Sequence, residues 1–117
     1  MKTRILIIDN EPRWIDFVKD DLSRFEIVVA PNIQVALKEL ENGHFDLVIA
    51  SSRHLDALET ISKIHSGKRF IVTTINPNTQ EALHAYRLGA SRYISKSFGK
   101  QDLYNRVREV IPLSNNY

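Results

Sequence analysis

Hydrophobic and polar positions along this chain alternate between two periods. Residues 5–8 form an unbroken apolar run, the pattern of a strand buried on both faces. Pro12 can open a helix at its first turn. Trp14, Phe17, Val18 and Leu22 then recur at helical spacing, with Asp21 among them. Residues 27–30 read as a short second strand, and Pro31-Asn32 punctuates it. Val35, Ala36, Leu37 and Leu40 make a second helical stripe, which Asn42-Gly43 stops. Residues 47–50 are the third strand. Leu55, Leu58, Ile61 and Ile64 form the next helical stripe, ending before Ser66-Gly67. Residues 70–75 are a fourth strand rich in β-branched side chains. Asn76-Pro77-Asn78-Thr79 turns into a fourth helix carrying Ala82, Leu83, Ala85, Tyr86 and Leu88, with Gly89 as its cap. Residues 93–95 are a short fifth strand. The last helix turns Leu103, Val107 and Val110 inward, and Pro112 ends it.

Five strand–helix units of this length argue for an α/β domain: a parallel sheet covered by helices on both faces. In such open sheets the working crevice lies at the carboxyl ends of the strands. Asp9-Asn10-Glu11, Ser51-Ser52, Thr74 and Lys96 all end or follow an expected strand, so they should converge on one edge.

Composition narrows the chemistry available there. The 117 residues suffice for one hydrophobic core, and 43% hydrophobic with 26% charged residues is the balance of a globular domain. No apolar run approaches the ~20 residues that span a bilayer. The N-terminus carries no secretory signal pattern, so the expected location is cytoplasmic, with no membrane role. Cysteine is absent, which excludes disulfides, thiolate metal sites and thiol nucleophiles. His44, His65 and His84 show no metal-ligand spacing.

The net charge of +2 is unevenly spread. Residues 82–111 hold Arg87, Arg92, Lys96, Lys100, Arg106 and Arg108 against only Asp102 and Glu109. A basic surface suits an acidic partner. Helix-turn-helix, zinc and base-stacking patterns are all missing, which makes nucleic acid an unlikely ligand and an acidic protein surface the better expectation.

Three segments carry a family resemblance: Arg4-Ile5-Leu6-Ile7-Ile8-Asp9-Asn10-Glu11-Pro12, Phe45-Asp46-Leu47-Val48-Ile49-Ala50-Ser51, and Gly89-Ala90-Ser91-Arg92-Tyr93-Ile94-Ser95-Lys96-Ser97-Phe98. Together they resemble the receiver domain of two-component response regulators, over nearly the whole chain. The resemblance implies a flavodoxin-like (CheY-like) three-layer α/β/α fold with five helices and a sheet in the order 2-1-3-4-5. It implies a receiver-like domain over residues 1–112 and a flexible tail over 113–117.

A receiver phosphorylates itself on an aspartate, forming an acyl phosphate. Two acids after the first strand and the acceptor itself gather magnesium. A hydroxyl after the fourth strand and a lysine after the fifth bind phosphoryl oxygens. Against that pattern this chain keeps Asp9, Thr74 and Lys96, with Tyr93 and Phe98 as the aromatics. Asn10 replaces the second acid, and Ser51 replaces the acceptor. The connection Ser52-Arg53-His54-Leu55 is shorter than the Met-Pro-Gly type, and Ser97 stands in place of proline.

Each departure has a consequence. Asp9 remains nearly alone against a divalent cation, so magnesium binding should be weak or lost and no cofactor is expected. Ser51 is a poor nucleophile without a base, and His54 lies in a loop rather than placed to activate it. A cis bond without proline costs about 3 kcal/mol, so the Lys96–Ser97 bond should be trans. Lys96 and Asp9 are expected to form an ion pair, and Thr74 to satisfy a backbone group. Asp46 starts its strand at the wrong end to serve as acceptor, and Asp56 is expected to cap the third helix.

The function expected from these residues is an atypical receiver, or pseudo-receiver: a non-enzymatic interaction module in signalling that works independently of phosphorylation. Its interaction face would carry Arg87, Arg92, Tyr93 and Lys100, and a second protomer is a possible partner there besides a signalling protein. The alternative is a phosphoryl-accepting regulator of a phosphorelay with a non-standard acceptor. A small anion- or nucleotide-binding domain of the same class ranks last, because no glycine-rich phosphate loop is present.

Overall fold

The computed structural model describes residues 2–65 and 67–111. Strands β1 (Arg4–Ile8), β2 (Glu26–Ala30), β3 (Leu47–Ser51), β4 (Phe70–Thr74) and β5 (Arg92–Ser95) alternate with helices α1 (Pro12–Asp21), α2 (Ile33–Asn42), α3 (Leu55–Ile64), α4 (Thr79–Arg87) and α5 (Asp102–Val110). The five strands are parallel in the order β2-β1-β3-β4-β5, as expected from the resemblance.

Strand alternation sends successive side chains to opposite faces, and two cores result. Leu6, Ile8, Val48, Ala50 and Val72 face one side, where Ala36 and Leu40 of α2, Leu58 and Ile61 of α3, and Ala85 of α4 cover them. Ile5, Ile7, Leu47, Ile49 and Ile71 face the other, beneath Trp14 and Val18 of α1 and Leu103, Tyr104 and Val107 of α5. Every residue of β3 and β4 is buried, which explains their unbroken apolar runs.

Helix ends follow local chemistry at α2 and α4. The Asn32 side chain accepts from the Val35 backbone N–H at 3.0 Å, and that of Asn78 from Glu81 N–H at 2.8 Å. Gly89 leaves α4 with φ +102°, a conformation glycine adopts without strain. The Asp56 expectation is corrected: α3 starts at Leu55, so Asp56 lies inside its first turn, where a carboxylate meets the helix dipole. The Asn42-Gly43 stop and the trans Lys96–Ser97 bond are as expected; among the described residues no peptide bond is cis. Pro112 and residues 113–117 lie outside the described residues.

The cap of α5 comes from elsewhere in the chain. Gln101 precedes the helix in the left-handed region, φ 67°, with no capping bond from its own side chain. Asp21, at the end of α1, supplies the acceptors: Oδ1 takes Gln101 N–H at 2.6 Å and Oδ2 takes Tyr104 N–H at 3.0 Å. Asp21→Ala is therefore expected to cost about 1–2 kcal/mol in urea denaturation, the loss of an N-cap. Gln101→Gly should stabilise by roughly 0.5–1 kcal/mol by relieving the left-handed backbone.

At the amino ends of the strands, Asp46 accepts from the Arg4 backbone N–H at 2.9 Å and meets His44 Nε2 at 3.1 Å. Burial alone would raise its pKa, but the Arg4 N–H, His44 and the charge of Lys68 outweigh that and hold it below the ordinary 3.8. A depressed carboxylate pKa contributes stability above the unfolded value and loses it as pH falls through the folded one. Asp46→Asn should flatten the loss of stability below about pH 4, while lowering stability at neutral pH. Thermal melts across pH 2–7 would read both effects.

Candidate phosphoacceptor-like site

The carboxyl ends of the strands bring Asp9, Ser51, Thr74 and Lys96 to one edge, as the topology requires. Asp9 follows β1 and is 2% exposed. Its Oδ1 accepts the backbone N–H groups of Asn10 at 2.8 Å and Glu11 at 3.1 Å, fixing the turn into α1. Its Oδ2 faces Lys96 Nζ at 2.9 Å. The Lys96 backbone N–H donates to Thr74 O at 2.7 Å, which anchors the lysine beside β4. Its ammonium is buried under the Trp14 ring, 5.7 Å from the centroid, and also approaches Glu11 Oε2 at 3.5 Å. The expected Lys96–Asp9 pair is present, and Glu11 joins it.

Glu11 was legible only as the third member of an acidic turn, with no role attached. Ser52 was likewise visible without a role. Its hydroxyl donates to Thr74 Oγ1 at 3.2 Å, and the Asn76 backbone N–H donates to the same oxygen at 3.3 Å. Thr74 thus satisfies a backbone group, as anticipated, and a second hydroxyl besides.

Ser51 closes β3 and is 3% exposed. Its Oγ accepts the Arg53 backbone N–H at 3.4 Å. From there Ser52–His54 coil directly into a 3₁₀ turn that runs on into α3. The short connection read from the sequence takes this form, with no extended loop between strand and helix. His54 is the residue preceding α3, and the hydrogen bond at Ser51 Oγ comes from the backbone rather than from its ring.

The donor set decides what this edge can hold. Magnesium asks for several hard oxygen ligands. Asp9 already accepts two N–H groups through Oδ1 and is ion-paired with an ammonium through Oδ2, Asn10 is exposed and neutral, and Ser51 offers a hydroxyl. Among the described residues no cluster of three or more histidine, aspartate and glutamate side chains is placed to hold a metal ion. The residues present therefore fit an internal ammonium better than a divalent cation.

The outer face beside this edge is built from α4, β5 and α5. Tyr93 Oη donates to Glu81 Oε1 at 2.5 Å and accepts the Asn78 N–H at 3.2 Å, while the Tyr93 backbone N–H donates to Tyr86 Oη at 3.2 Å. Burial first, and then the Glu81 carboxylate, push the Tyr93 phenol above its ordinary 10.0. Arg87 is exposed on α4. Arg92 Nε lies 3.6 Å from Glu109 Oε1, and Arg106 takes the other oxygen of that carboxylate at 2.8 Å. Lys100 departs from the expected common face. The bend that carries Gln101 to Asp21 brings it into a depression with Asp20, Asp21 and Arg24. With Lys96 buried and one carboxylate serving two arginines, this third of the surface is less positive than its residue count implies.

The chain matches the family model of the response regulator receiver domain over residues 5–108. The chain belongs to that family. A curated relative is the alkaline phosphatase synthesis transcriptional regulatory protein PhoP of Bacillus subtilis (strain 168), 23% identical over 118 residues. That match takes in 95% of this chain and 49% of PhoP, so the chain spans about half the relative's length. Among solved structures, the non-phosphorylated HemR receiver domain from Leptospira biflexa has a TM-score of 0.85 and 27% identity, covering 99% of each chain. The response regulator TrrA from Thermotoga maritima, in complex with Mg²⁺ and BeF, has a TM-score of 0.80 and 28% identity, covering 93% of this receiver and 99% of TrrA. A CheY-like receiver from Methanospirillum hungatei JF-1 reaches 0.84 at 25% identity, covering 94% of each chain. Among the described residues of this receiver, no helix is long and apolar enough to cross a membrane.

Proposed function

We propose that this receiver is a phosphorylation-independent interaction module in signal transduction, with no catalytic activity of its own and no bound magnesium. The observation that carries this reading is the pairing of a buried hydroxyl at position 51 with an ammonium, Lys96, seated on Asp9. An acyl phosphate needs a carboxylate as nucleophile, and position 51 offers none. The cation that would gather phosphoryl oxygens has a partner within the protein. TrrA, with Mg²⁺ and BeF bound, is the contrasting case among the relatives.

The partner in this reading is another signalling protein or a second receiver, meeting α4 and β5. There Leu83 and Tyr86 are each 49% exposed beside the exposed Arg87. The pinned Tyr93 ring holds that face in one arrangement, so a partner would select it rather than wait for a chemical switch.

The test is incubation of the purified protein with magnesium and phosphoramidate, followed by intact-mass measurement and hydroxylamine treatment. No added phosphate is the expected result. A hydroxylamine-sensitive adduct mapped to a carboxylate overturns the reading, and a hydroxylamine-stable adduct mapped to a serine would support the phosphorelay alternative.

A further inference from the structure

We propose that the open cavity between α1, β5 and α5 binds a small organic anion that carries a hydrogen-bond donor at its far end. The cavity measures about 470 Å³, within the range of small-molecule sites. Arg92 and Arg106, which share Glu109, line it together with the hydrogen-bonded pair Ser97 and Asp102, and with Ile94 and Leu103.

One carboxylate, Glu109, serves both guanidinium groups, so the two arginines keep a surplus positive charge and unused N–H donors. Arg92 and Arg106 are 45% and 53% exposed, so an incoming anion reaches them without unfolding anything. Asp102 accepts the Ser97 hydroxyl at 2.7 Å through Oδ2, and a carboxylate has further lone pairs to offer a donor. Asp102 and Arg106 are one helical turn apart, about 6 Å along the axis. A flat molecule with an acid at one end and a hydroxyl or amine at the other matches that separation. Its uncharged body would lie over Ile94 and Leu103. Inorganic phosphate, with no body, would gain only the arginine contacts.

This inference stands apart from the reading of the phosphoacceptor edge. None of Asp9, Ser51, Thr74 or Lys96 lines the cavity. Trp14 does, and it is the only tryptophan in the chain, so its buried indole N–H gives a single NMR signal from a residue beside the cavity.

The experiment titrates 4-hydroxybenzoate into the ¹⁵N-labelled protein, with benzoate, phenol and inorganic phosphate as comparisons. The expected result is saturable movement of the Trp14 indole, Leu103 and Asn105 signals. Benzoate, phenol and phosphate should each bind at least about tenfold more weakly, since each lacks one of the contacts. Arg92→Ala with Arg106→Ala should abolish saturation, Arg106→Lys should weaken it, and Arg87→Ala should leave it unchanged. Movement that never saturates, equal binding of phenol, or undiminished binding by the double variant with its native spectrum would each overturn the site.

Discussion

Lys96→Met is expected to remove about 3–5 kcal/mol of stability, the usual cost of stripping the partner from a buried charge. The lysine and aspartate side chains are 4% and 3% exposed, so water cannot replace the missing ammonium. Glu11 cannot compensate, because it carries the same sign as Asp9. The partner substitution separates charge from packing. Asp9→Asn in the Lys96→Met background should restore part of the loss, since a neutral pair of similar volume leaves no uncompensated charge. Urea melts of the two single variants and the double variant close the cycle. A loss under about 1 kcal/mol for Lys96→Met would mean that the pair behaves like a solvent-screened surface bridge.

The second large effect comes from restoring the missing acids. Asn10→Asp with Ser51→Asp places two carboxylates near Asp9, the one at position 51 in a buried setting. Without metal, like charges there should destabilise the fold by about 2–4 kcal/mol. Magnesium should then become a ligand of the native state and return stability, by about 2.7 kcal/mol at a hundredfold excess over its Kd. Thermal melts with EDTA and with magnesium read this directly, and the natural sequence should show no difference between them. The double variant is also expected to gain a hydroxylamine-sensitive phosphate from phosphoramidate. If it binds magnesium yet stays unphosphorylated, the 3₁₀ turn after Ser51 silences the site in addition to the missing carboxylates.

The central strands were legible because burial on both faces leaves a signature in consecutive residues. β3 and β4 show it over their whole length. The edge that gathers Asp9, Ser51, Thr74 and Lys96 followed from parallel topology alone. Helical stripes were read less faithfully. Leu83 and Tyr86 have helical spacing, but on α4 only Ala85 is buried, because the sheet beneath ends at the short β5. Val35 and Ile64 belong to helical stripes whose other members include buried residues, yet are exposed at 36% and 60%. A period fixes which residues share a face, not how wide the covered part of that face is. The Glu11 and Ser52 contacts were unreadable for a different reason: each depends on the distance between two loops that the strand pattern does not set.

Asp21 and the two amide groups it receives are separated by 80 and 83 residues along the chain. The start of α5 therefore depends on a group made in the first fifth of the sequence. Local propensity alone cannot close it, and the left-handed Gln101 argues against early nucleation there. During folding this last helix should lock down only after α1 has docked, making the pair one cooperative unit. In native-state hydrogen exchange the Gln101 and Tyr104 amides would then open together with the end of α1, ahead of β3 and β4. A chain still emerging from the ribosome would hold a sheet whose α1 face is half covered until α5 arrives.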